Sequence, residues 1–291
     1  MSGLYQLTSL CWIQQSRVYA THSSVLFDGL DAFLVDPGVA PDELAAIEAF
    51  LDEHDARLRG LVVTHAHWDH LLGPLVFPDT PVIAHRRYLE VVAQHGEDLQ
   101  DQVAHWAQAE GLSLAFELPR PTFLFDQAMA LHTAHMTVQV LAAPGHAPDH
   151  CVLYEPAAGV LLAGDMLSDI EVPMVMDSFL AYVDTLRTLR QMDVRVLVPG
   201  HGSPTGDPAE IARRFAQDLA YLTQVWDCVG EALAAGADLP ETRQRCAGIR
   251  FAQPDTYPNA HRWNIEQAYL ELGGEAGPNV GWAQDWKVGE S

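Results

Sequence analysis

The chain has 291 residues, 48% of them apolar, with 16 Lys and Arg against 39 Asp and Glu and a formal net charge of −23. That length builds one large domain or a domain with an extension, and the composition excludes a disordered chain. The charge disfavours a nucleic-acid partner, because no dense Lys/Arg cluster offsets repulsion from phosphate.

No run reaches the roughly eighteen apolar residues of a membrane helix, and no basic-then-apolar leader opens the chain. A soluble, cytoplasmic protein without membrane partners is therefore expected. The cysteines Cys11, Cys151, Cys228 and Cys246 stand far apart without a CxxC pair. They read as ordinary thiols rather than as a disulfide framework or a zinc knuckle.

Ser24 to Val35 reads as two strands meeting at the hairpin dipeptide Asp28-Gly29, ended by Asp36-Pro37-Gly38. A helix follows from Pro41, with Leu44, Ile47, Phe50 and Leu51 at helical spacing, and leads to a strand at Leu61–Val63. Thr80–Ala84 is a short strand, and Tyr88–Ala109 a polar surface helix. Three further strands end in glycine-bearing turns: Val138–Ala142 before PGHAPDH, Val160–Ala163 before GDMLS, and Val194–Val198 before PGHGSP. Asp207-Pro208 caps a long helix whose face carries Ile211, Phe215, Leu219, Leu222, Trp226, Val229 and Leu233. A shorter helix is expected from about Asn259 to Leu272, stopped by Gly273-Gly274. The expected organisation is a main domain over residues 1–206 and a helical C-terminal extension over 207–291, packing on or beside it.

The turns carry the chemistry. His65, His67, Asp69 and His70 stand in THAHWDH, His146 in PGHAPDH, Asp165 in AGD and His201 in PGHG, all just past strand ends. Imidazole and carboxylate suit zinc, manganese or iron. Seven such groups exceed the needs of one tetrahedral ion and fit two ions sharing a carboxylate. Any one histidine alone is better explained by ordinary capping or exposure, as for His54, His95 and His105 on helical segments. Five segments that end in ligand-type residues are not.

These motifs, in this order over roughly residues 5–206, resemble the metallo-β-lactamase superfamily. The resemblance implies an α/β fold, a four-layer αβ/βα sandwich with the metals in a groove at one sheet edge. It assigns His65, His67 and His146 to one divalent ion, Asp69, His70 and His201 to the other, and Asp165 to both. It implies two ions, zinc first with manganese or iron as alternatives, hydroxide held between them as nucleophile, and Asp69 as the catalytic residue that orients it and passes a proton. Asp36 falls where the family usually has an aspartate and reads as structural, accepting hydrogen bonds from the loop holding Thr64 to His67.

Asp165 argues against β-lactam cleavage, since those members typically lack its equivalent, and His67 stands where flavodiiron proteins resemble a glutamate motif. The acidic balance does not suit the nucleic-acid-processing branches. The complete site resembles glyoxalase II thioesterases and lactonases, implying a hydrolase of a thioester, lactone or ester in a small molecule. A single-iron persulfide dioxygenase and a small-nucleotide phosphodiesterase are the alternatives, and a homo-oligomer is left open. Arg213, Arg214, Arg243, Arg245, Arg250 and Arg262 do not match the glutathione-gripping pattern of glyoxalase II. His150 either supports the ligands or caps the next strand, and Asp149 replaces a frequent glycine. Trp68 either walls the groove or packs, whereas Phe179, Tyr182 and the Met174-Met176 pair favour core packing over a pocket.

Overall fold

Alternating and helical apolar patterns sort the chain into two sheets and six α-helices in the computed structural model, which describes residues 3–251, 259–277 and 280. The first sheet runs β1 (Tyr5–Gln6), β2 (Cys11–Gln15), β3 (His22–Phe27), β4 (Asp31–Val35), β5 (Arg57–Val62), β6 (Val82–His85) and β7 (Phe123–Phe125), in that spatial order. β1 to β4 pair antiparallel, with Asp28-Gly29 at the β3–β4 turn and Gly29 at φ 95°. From β4 to β7 the pairing is parallel, which needs crossovers. Helices α1 (Pro41–Glu53) and α2 (Tyr88–Ala109) supply two of them. Glu43 fixes the start of α1 by accepting from Ala40 N at 3.0 Å.

The second sheet has the order β12 (Val196–Val198), β11 (Val160–Leu162), β10 (Cys151–Glu155), β9 (Thr137–Ala142), β8 (Ala128–His132). Only β11 and β12 pair parallel, and α3 (Phe179–Leu189) is their crossover. Then come α4 (Pro208–Ala234), α5 (Leu239–Cys246) and α6 (Ala260–Glu271). Asp207 caps α4 through Ala209 N at 2.9 Å.

Three apolar interfaces make four layers of this. Ile13, Leu26, Phe33 and Val62 of the first sheet meet Val138, Val140, Leu153 and Leu162 of the second. The outer face of the first sheet buries Val25, Leu34 and Leu61 against Leu44 and Ile47 of α1 and Tyr88 of α2. The outer face of the second buries Val152, Leu161 and Leu197 against α3, α4 and α6, through Leu186, Leu222, Val225 and Ile265. Full burial of each such side chain is worth about 1.5–3 kcal/mol. The helices after residue 207 thus share their core with the second sheet. No described helix is long and apolar enough to cross a membrane.

Two expectations are settled by packing. Cys228 and Cys246 are not ordinary thiols: they form a disulfide from α4 to α5, with Cα atoms 6.0 Å apart. Cysteine spacing shows no motif because the packing of two consecutive helices, not a local turn, brings them together. Cys11 and Cys151 are buried free thiols. Phe179, Tyr182 and Met174 are buried in the core against the second sheet, as packing rather than a pocket requires.

Candidate metal centre

Each functional loop leaves a strand at the same edge of the sandwich. The loop after β5 carries His65 and His67 and tightens into a 3-10 turn, Trp68–His70, which brings Asp69 and His70 back toward them. The loops after β9, β11 and β12 carry His146, Asp165 and His201. Cys151 N donates to Thr64 O at 2.9 Å and His22 N to Gly200 O at 2.7 Å, stitching the two sheets together at this edge.

All seven residues named from the sequence converge. One group is His65, His67, His146 and Asp165, the other Asp69, His70 and His201, each with donor atoms within 4.8 Å of one another. His65 Nε2 lies 2.9 Å and His146 Nε2 3.2 Å from His67 Nδ1. Asp165 Oδ2 is 3.4 Å from His65 Nε2, 3.5 Å from His146 Nε2 and 3.3 Å from His201 Nε2, while its Oδ1 is 3.3 Å from His70 Nε2. Asp165 therefore touches both groups.

Hydrogen bonds behind the rings settle which nitrogen faces inward. His146 Nδ1 donates to Met174 O at 2.9 Å and His201 Nδ1 to Tyr19 O at 3.0 Å. A carbonyl only accepts, so the lone pair of each neutral ring is on Nε2. Thr64 spends its hydroxyl proton on Asp36 Oδ2 at 2.6 Å, so its oxygen accepts from His65 Nδ1 at 3.0 Å. Asp36 Oδ2 also accepts from His70 Nδ1 at 3.0 Å, and Asp36 Oδ1 from Thr64 N at 2.8 Å. Asp36 takes the left-handed conformation, φ 44°, which aspartate tolerates better than most residues.

Buried carboxylates set the charge state. Burial alone would push Asp165 up, but His201, His70 and His65 outweigh it and hold Asp165 well below the carboxylate range. Burial likewise opposes charge on His70 and His201, yet Asp165 and the other nearby carboxylates raise His70 well above the usual histidine value and His201 to about 10. His65 and His67, pressed by burial and by neighbouring imidazoles, are lowered well below it, and burial lowers His146 too. Without a cation, protons on His70 and His201 balance the carboxylates.

The donors fit metal. His70 Nε2 and Asp165 Oδ1 are buried, face each other at 3.3 Å, and have no partner among the described residues beyond this contact. Unpartnered buried polar atoms are costly unless something else binds them, and a divalent cation between an imidazole and a carboxylate does so. Backbone fit is equally tight. A Cβ at Gly200 would sit 2.1 Å from Asp165 Oδ1, and one at Gly164, φ 52°, 2.3 Å from His150 Nε2.

His150 resolves as a brace for the ligands: its Nδ1 donates to Ala143 O at 3.0 Å, and its Nε2 accepts from Asp165 N at 3.1 Å. Asp149 accepts from Ala66 N at 2.9 Å, fixing the loop between His65 and His67. Trp68 packs on Trp106 with centroids 5.4 Å apart and meets Tyr19 edge-on at 6.1 Å. Sequence reasoning missed Thr21, whose hydroxyl lies 2.9 Å from Val18 O and 3.2 Å from Asp69 Oδ2, and His22, which donates to Pro199 O at 2.8 Å and so holds the PGHG turn. It also missed the carbonyls of Met174 and Tyr19, which have no side-chain signature. Of these only His22 stood out by type.

Comparison with known proteins agrees with the geometry. The chain is 27% identical over 203 residues to the probable metallo-hydrolase YqjP of Bacillus subtilis, covering 60% of this chain and 62% of that one. It is 25% identical over 213 residues to the thioesterase pkgB of Emericella nidulans, covering 72% and 54%. The matches thus span less than two thirds of either relative's length. The solved structure of the stereoselective inverting sec-alkylsulfatase Pisa1 from Pseudomonas sp. superposes on 96% of this chain and 51% of its own, with TM-score 0.77 and 14% identity, a likeness of fold alone. The sequence profile of the Metallo-beta-lactamase superfamily matches residues 17–201, and on that match, the four layers and the shared His/Asp edge, this chain belongs to the metallo-beta-lactamase superfamily.

Proposed function

We propose that this protein is a metal-dependent hydrolase that cleaves an ester-like bond in a small molecule, a thioester first, with lactones and simple esters in the same class. The observation that carries this reading is Asp165, whose two oxygens face His65, His146 and His201 on one side and His70 on the other. A carboxylate so placed would be shared by two cations held by these groups. Zinc is our assignment from the histidine-rich donor set. Bound there, two such ions supply Lewis acidity toward a carbonyl oxygen and an acidified water.

The chain's own groups do the rest. His65, His67 and His146 would cradle one cation with Asp165, and Asp69, His70 and His201 the other. Asp69 turns Oδ2 toward His70 and His201, at 3.6 and 3.4 Å, and its carboxylate would take a proton from the attacking water and return it to the leaving thiol or alcohol. Trp68 directly precedes Asp69 and Tyr19 offers its backbone carbonyl to His201; their rings, edge-on at 6.1 Å, would offer an apolar wall to an acyl or leaving group. The thioesterase among the relatives supports placing the thioester first.

The test is a substrate panel on metal-loaded protein: a thioester, a lactone, an aryl ester, a phosphodiester and an alkyl sulfate. Turnover of one or more carbonyl substrates, thioester fastest, is expected. Turnover of the phosphodiester or sulfate alone, or of nothing, would overturn the reading.

A further inference from the structure

The ring of His146 is oriented by the Met174 carbonyl at 2.9 Å, and the His146 carbonyl accepts from Met176 N at 2.9 Å. The segment 173–176 that supplies both partners belongs to no strand or helix. It is gripped from the opposite side by one residue of α6. Asn264, completely buried, accepts from Val175 N on Oδ1 at 3.0 Å and donates from Nδ2 to Pro173 O at 2.7 Å. These are the backbone groups on either side of Met174.

The clamp is itself anchored. Asn264 Nδ2 lies 3.0 Å from the Tyr221 hydroxyl on α4, that hydroxyl 2.9 Å from His261 Nδ1, and His261 Nε2 3.2 Å from Cys246 O at the end of α5. An amide offers an acceptor and two donors in a fixed plane, which matches a peptide N–H, a peptide carbonyl and a hydroxyl at once. An apolar residue of the same size would pack as well but leave the buried backbone groups of Pro173 and Val175 without these partners.

We propose that Asn264 is a positioning residue for the metal centre: through Pro173–Val175 it fixes the Met174 carbonyl and so the ring of His146, making the C-terminal helices part of the cradle formed by His65, His67 and His146. The other cradle is held independently, His70 by Asp36 and His201 by Tyr19 O. Asn264 therefore controls the affinity of one ion of the pair. This rests on the two-cation reading above.

The test measures zinc affinity by competition with a chelating dye, together with thermal unfolding of the metal-free protein, for the parent, Asn264→Ala and Ile265→Ala. Ile265 is a buried neighbour on α6 that supplies packing without a side-chain hydrogen bond. Outer partners of ligating histidines typically govern affinity by about 10–100-fold. The expected result is a loss of that size in one of two sites in Asn264→Ala, the other unchanged, with both sites unchanged in Ile265→Ala despite a lower Tm. In a His146→Ala background, Asn264→Ala should cause no further loss, since it acts through that ring. If Asn264→Ala does not fold, Asn264→Leu, of similar size and without the amide, should show the same selective loss. Parental affinity at both sites, or equal losses in the Asn264 and Ile265 variants, would overturn the proposal. Failure of the parent to bind zinc would instead overturn the two-cation reading.

Discussion

Four imidazoles, those of His65, His70, His146 and His201, face one buried carboxylate, Asp165, at 3.3–3.5 Å. Such a set must hold cations or protons, and the raised His70 and His201 show where the protons go. In a metal-free chain at neutral pH the raised values favour an extra proton on each of these two rings, while His65 and His67 stay neutral imidazoles. Cation binding has to displace them, so affinity falls as the pH falls and protons are released on binding. Zinc titration by calorimetry in buffers of different ionisation enthalpy should show release of a proton from each of the two rings; uptake of zinc with no proton release would contradict this charge state. At this scale the sequence was legible wherever function uses a side chain of distinctive type. The seven candidates converge at one sheet edge, and Asp36 holds Thr64 as expected. What could not be read were backbone carbonyls such as Met174 O, and common residues such as Thr21 and Asn264 that matter only through where the fold puts them.

Helix α4 shows how an element serves the site without touching it. Arg214, 3% exposed, donates to Leu167 O at 3.2 Å and Ser203 O at 2.9 Å, and lies 2.8 Å from Glu210 Oε1. It rivets the loop after Asp165 to the loop after His201, and Leu167 there is held at φ 62°, a left-handed conformation that leucine rarely adopts. Arg214→Ala should lower stability by about 1–3 kcal/mol in urea denaturation, because it strips donors from the carbonyls of Leu167 and Ser203 and the guanidinium bond from Glu210. A loss within ~0.5 kcal/mol, the usual effect of a surface substitution, would contradict the rivet. Legibility among elements follows length and periodicity. Tyr88–Ala109 and the helix after Asp207 form as expected because sustained apolar spacing and a capping Asp-Pro pair mark them. The eight-residue α5 went unread because a short polar run has too little period to detect, and β10 because all five of its residues are buried and show no alternation.

Across the whole molecule, two sheets bring one set of strand ends to one edge, and the outer helices hold that edge from behind. The helices after residue 207 read from sequence as an extension packing on or beside the main domain; they share a hydrophobic core with the second sheet and send Arg214 and Asn264 toward the loops of the site. Their role was not legible because it depends on single polar contacts between segments distant in the chain. The central claim is that Asp165 joins two cation sites at this edge. Elemental analysis of protein purified without added metal or chelator, beside the Asp165→Ala variant, tests it most directly. Close to two divalent ions per chain is the expected content, with one or both lost from the variant. A single ion per chain, retained equally by the parent and the variant, would contradict the account.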